Sequence, residues 1–91
     1  MKTITLEAYN EVKAQNRESV TKALKSFLQR EVVSLAKNTI VEISSNDFCK
    51  NEDFHYYNCK KMTDVEFDKA LDVKYILHGK GRSSMILVKV L

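Results

Sequence analysis

Ninety-one residues, 44% hydrophobic and 30% charged, make a single domain (1–91) of ordinary globular composition and exclude both a multidomain array and a disordered tail. The net charge of +3 is modest but uneven: residues 1–38 carry seven basic and four acidic side chains, and residues 39–91 carry eight of each. With no proline, two glycines and no low-complexity run, the chain has no linker or hinge written into it.

The first residues, MKTITLEAYNEVKAQ, place Glu7, Glu11 and Lys13 where a secretion signal needs an apolar core, and no apolar run reaches the length of a membrane span. A cytosolic location is therefore expected, with Cys49 and Cys59 as reduced thiols rather than a disulfide. Twelve lysines against three arginines, with six asparagines, are the residue usage of AT-rich coding DNA such as phages and mobile elements carry.

Thr5 is placed to cap a helix that starts at Leu6, with Glu7 near the positive end of its dipole and Leu6, Tyr9 and Val12 as a narrow apolar stripe. The pattern pauses at Asn16, a good N-cap, which favours two helices over one bent helix. Over 17–37, Val20, Leu24, Phe27, Leu28, Glu31, Val32 and Leu35 follow the i, i+3/i+4 rhythm of an amphipathic helix, the strongest periodic signal in the chain. Lys22, Ser26, Gln29, Arg30 and Lys37 mark its polar face, Val33 intrudes on that face, and Asn38 suits the C-terminal end. Thr39–Ser44 reads as a short strand, 45–53 as a polar loop, and Phe54–Met62 as an aromatic-rich second strand.

Thr63 and Glu66 fit a capping box at the head of a short helix over 64–71, with Val65, Ala70 and Leu71 partly inward. The chain ends in a predicted hairpin: strands over 73–78 and 84–91 flank a glycine-bearing basic tip at 79–83. Val73, Tyr75 and Leu77 share one face of the first strand. The second strand is apolar on both faces, with Lys89 its one charge, as a strand in the middle of a sheet is. The element order is α-α-β-β-α-β-β. It implies an α+β fold with helices packed on one face of a small, mostly antiparallel four-stranded sheet.

Site chemistry is sparse. Cys49, His55, Cys59 and His78 are spaced C-x5-H-x3-C-x18-H, without the close cysteine pair that presets tetrahedral zinc, so neither a metal nor a cofactor is expected. No glycine-framed nucleophile and no phosphate-cradling loop precedes a helix, and no catalytic residue is assigned. On a helix Asp64, Asp68 and Asp72 fall at i, i+4 and i+8 and form an acidic stripe. Tyr56 and Tyr57, adjacent on a strand, would point to opposite faces and expose at least one interface-favouring ring.

These features point to a non-enzymatic binding protein, a regulator or inhibitor of a larger protein, docking through Tyr56, Tyr57, Asp64, Asp68 and Asp72. A second reading is a DNA- or RNA-binding module that uses Lys22, Lys25, Arg30 and Lys37 of the basic helix with Lys80 and Arg82 of the hairpin tip. The apolar C-terminal strand leaves room for homo-oligomer formation if it lies at a sheet edge.

Overall fold

The fold is organised around β4 (Met85–Val90), which pairs through Met85–Lys89 with β2 (Ile40–Ser44) on one side and along its whole length with β3 (Leu71–Ile76) on the other. The computed structural model describes residues 1–13, 20, 22–44, 47, 62–76 and 85–91. Within these, a two-residue strand β1 (Lys2–Thr3) completes a four-stranded antiparallel sheet of order β1-β2-β4-β3. Three helices among the described residues accompany it: α1 (Leu6–Glu11), α2 (Lys22–Glu31) and α3 (Asp64–Ala70). The α+β class and the antiparallel sheet are as the sequence predicts. The central place of the C-terminal strand follows from its two apolar faces. With both of its edges bonded, β4 is a central strand of the sheet and not an edge.

Alternation along the strands divides the apolar side chains between two faces. On one face Val41, Ile43, Val73, Ile86, Val88 and Val90 meet Leu24, Phe27, Leu28 and Val32 from α2 and its exit, and Phe67 from α3. Leu28, Val32, Ile43 and Val88 are fully buried, and each such side chain contributes about 1.5–3 kcal/mol of transfer free energy. On the other face Tyr9 of α1 packs with Ile40 and Leu87, flanked by the half-buried Ile4, Val12, Ile76 and Met85. The helices α2 and α3 thus share one face as expected, while α1 lies across the opposite one. A separate cluster around one aromatic holds it there, which a six-residue stripe does not announce.

Local chemistry explains where the elements begin. The Thr5 hydroxyl accepts the Ala8 N–H at 3.2 Å, and Glu7 sits in the first turn of α1. At α3 the capping box is complete: Thr63 accepts the Glu66 N–H at 3.2 Å, and the Glu66 carboxylate accepts the Thr63 N–H and hydroxyl.

Several boundaries differ from the sequence reading. The helix predicted over 17–37 is regular only from Lys22 to Glu31, its first residues lying outside the described ones in part. It unwinds where the Leu28 carbonyl accepts from both Val32 and Val33, the six-to-one closure of a helix end. Val33 therefore turns toward the core and packs against it, instead of standing on the polar face. Asn38 does not cap a helix. Its φ of 71° places it in the left-handed region, its N–H donates to the Val90 carbonyl, and the Val90 N–H donates to Thr39. Two residues thus oppose one, a bulge of the type usually built on glycine, at the entry to β2.

The predicted helix 64–71 ends at Ala70, and Leu71 opens β3 directly. Phe67 is buried, whereas Val65 is 63% exposed, not inward. The strand predicted over 54–62 lies outside the described residues except for Met62, which belongs to no regular element. The fourth strand observed is β1, which two residues could not signal.

Candidate functional site

The helix pair α2–α3 is joined by three contacts that converge on one side of the sheet. The Met62 N–H donates to the Gln29 side chain at 2.9 Å, tying the approach to α3 against α2. Lys25 and Asp64 meet at 2.6 Å, and the same ammonium lies 5.6 Å from the centre of the Phe67 ring. The hydrogen bond from Lys25, and then its charge, hold the Asp64 carboxyl below the usual carboxylate range.

Two shallow clefts open on either side of this bridge. One, of about 200 Å³, is lined by Lys22, Ser26, Gln29 and Met62. The other, of about 170 Å³, is lined by Val20, Phe67, Asp68, Leu71 and Val73. Sites for small molecules and cofactors usually enclose about 300–1,000 Å³. These clefts are each sized for a protruding side chain. Val65 stands exposed one residue beyond Asp64.

The acidic stripe is broken. Asp64 and Asp68 share α3, but the change from helix to strand at Leu71 carries Asp72 onto β3. Asp72 there points to the α1 face of the sheet and accepts the Tyr9 hydroxyl at 2.6 Å. Below it in the strand, Lys74 is 8% exposed. Its ammonium donates to the Tyr9 carbonyl at 2.7 Å and lies 3.9 Å from the ring centre. Burial first, then the hydrogen bond and charge of Asp72, push the Tyr9 phenol well above its ordinary pKa. This cluster fastens α1 to the sheet. A lone tyrosine on a short stripe was its only sequence signal, and Lys74 had none, since its burial depends on a helix 65 residues away.

The basic residues are likewise dispersed. Lys25 is paired with Asp64, and Arg30 meets Glu31 at 2.6 Å. Lys22 is exposed on α2, and Lys37 is exposed in the turn that follows it. Lys80, Arg82, Tyr56, Tyr57, Cys49, His55, Cys59 and His78 lie outside the described residues. Among the described residues no cluster of carboxylates, imidazoles or thiols has the grouping of a metal site, and no helix is long and apolar enough to cross a membrane. Comparison with protein families, with curated proteins and with solved structures finds no match to the chain.

Proposed function

We propose that the protein acts by binding, as a cytosolic regulator or inhibitor that docks on a larger protein through the α2–α3 face. The observation that carries this reading is the pair of side-chain-sized clefts flanking the Lys25–Asp64 bridge. Lys22 and Lys25 of α2 and Asp64 and Asp68 of α3 line them, and Val65 is exposed next to Asp64 in the chain. Such a surface complements a partner segment that carries one or two apolar anchors between charges of both signs. Interface energy concentrates in a few anchored side chains inside a polar rim. Asp64 and Asp68 remain in this docking face, and Asp72 leaves it for the opposite side of the sheet.

The nucleic-acid alternative draws on the exposed Lys22 and Lys37. The carboxylates beside Lys25 and Arg30 weaken the positive field that phosphate contacts need. Affinity capture from a native lysate, with and without nuclease, separates the two. The docking reading expects one stoichiometric protein that survives nuclease. Material that disappears with nuclease would replace it by the nucleic-acid reading.

A further inference from the structure

Residues 1–13 hold to the rest of the chain through one face of the sheet and, among the described residues, give nothing to the main core. The cluster that α2 and α3 build on the sheet contains no side chain from this segment. Ile4, Tyr9 and Val12 belong instead to the second cluster, with Ile40, Leu87, Ile76 and Met85. The backbone joins are short. β1 pairs with β2 through Lys2↔Glu42 and Thr3↔Val41, and the Ile4 N–H extends the ladder to the Ile40 carbonyl at 2.9 Å. The Met1 ammonium meets Asp47 at 3.3 Å, an exposed pair of the kind that adds little. Isolated helices shorter than about 12–15 residues are marginal in water, and α1 has six. Its last turn carries no basic residue. The cation at that end comes from β3, where the Lys74 ammonium donates to the Tyr9 carbonyl and lies on the Tyr9 ring. The Tyr9 hydroxyl reaches Asp72 two residues earlier in the same strand. Helix end, ring and phenol are thus held at one residue by β3, and lifting α1 off the sheet removes all three supports at once.

We propose that residues 1–13 are a latch: β1 and α1 leave the sheet as one cooperative unit while α2, α3 and β2–β4 stay folded, and Lys74 is the catch on which α1 closes. Segments with few buried contacts open at lower free energy than the core does, in contiguous units. What remains after opening is complete in itself. β2, β4 and β3 keep their register, and the whole cluster under α2 and α3 is untouched. Opening carries the Lys74 ammonium from beneath Tyr9, where the residue is 8% exposed, into water. Off the sheet, α1 is too short to keep its helix, so undocking and melting are one event. The latch lies on the opposite face from α2 and α3, and it stands whether or not that face binds a target.

The test is native-state amide exchange of the full chain, with acylation of lysines by an acetyl N-hydroxysuccinimide ester as a second readout. Ile4 and Tyr9 carry bonded amides in the segment, and Val32 and Val90 carry bonded amides in the core. The expected result is one common protection for Ile4 and Tyr9, at least about tenfold below that of Val32 and Val90. Lys74 should acylate more slowly than the exposed Lys22, in proportion to that common opening. Two variants separate the latch from global unfolding. Ile43→Val trims a fully buried core side chain and should speed exchange at Val32 and Val90 about twofold to tenfold, while Ile4, Tyr9 and Lys74 keep their native rates. Tyr9→Phe should speed Ile4 exchange and Lys74 acylation by one factor, about tenfold. Protection of Ile4 and Tyr9 that equals that of Val32 and Val90, or falls with it in Ile43→Val, would overturn the proposal. Unequal protection of Ile4 and Tyr9 would also overturn it, and so would acylation of Lys74 as fast as that of Lys22.

Discussion

The Tyr9 hydroxyl donates to the Asp72 carboxylate across 2.6 Å and joins residues 63 apart in the chain. It is the main polar link between α1 and the sheet, with Lys74 closing the other side of the same residue. Replacing Tyr9 by phenylalanine keeps the packing against Ile40 and Leu87 and removes the bond to a charged acceptor. The expected loss is about 1.5 kcal/mol at neutral pH, measured by urea denaturation. The raised phenol also carries a pH signature. Its stabilisation is complete below about pH 10, where the unfolded phenol is neutral, and is lost as pH rises above that value. Tyr9→Phe should therefore show a flatter loss of stability above about pH 10 than the native chain.

Asn38 occupies a glycine-like place in the bulge that leads into β2. Asn38→Gly removes the cost of the left-handed backbone and should leave stability unchanged or raise it by up to about 1 kcal/mol. Asn38→Val puts a β-branched residue at positive φ and should cost about 1–2 kcal/mol. Thermal denaturation of the two variants in parallel reads the difference. Equal midpoints would contradict the bulge.

The capping box at Thr63 governs the start of α3. Thr63→Ala should destabilise by about 1 kcal/mol, and Thr63→Ser should restore most of it, since the hydroxyl is the accepting group. Because Phe67 anchors this helix to the main core, the loss should appear in global unfolding and not only as local fraying.

Acid should loosen two surface contacts together. Asp64 is held below its ordinary range by Lys25, and Asp47 by the Ser44 backbone N–H and then its hydroxyl. A carboxyl with a depressed folded pKa contributes above its unfolded value and loses that contribution as pH falls through the folded one. Both contacts should persist at neutral pH and weaken below about pH 4. NMR titration of the two carboxyl carbons checks this: midpoints at the ordinary aspartate value would contradict it.

What was legible in the sequence was local. The Thr63–Glu66 cap, the amphipathic run from Leu24 to Val32 and the alternation in Val73–Tyr75 and Met85–Val90 each act within a few residues, and each appears in the fold. The centrality of β4 followed from apolar side chains on both of its faces. What was not legible depends on distant partners. β1 is two residues long and exists only because β2 lies beside it. Asp72 fits a helical stripe by spacing, but the alternation of Leu71, Val73 and Tyr75 competes with that spacing, and pairing to β4 decides in its favour. Lys74 counts as an exposed cation until α1 covers it. The candidate site divides in the same way: Lys22, Lys25, Asp64 and Asp68 were marked by charge, while Met62 and Gln29 joined them through a backbone contact between residues 33 apart.

The central claim is that the α2–α3 face binds a protein target, and calorimetric titration of the captured target against three surface variants tests it most directly. Val65→Asp, at an exposed residue next to Asp64 in the chain, and Lys22→Glu, in the lining of one cleft, should leave stability within about 0.5 kcal/mol of the native chain. Each should weaken binding by about tenfold or more. Glu11→Lys, on α1 across the sheet, should bind as the native chain does. A target that binds all three variants with native affinity would contradict the claim.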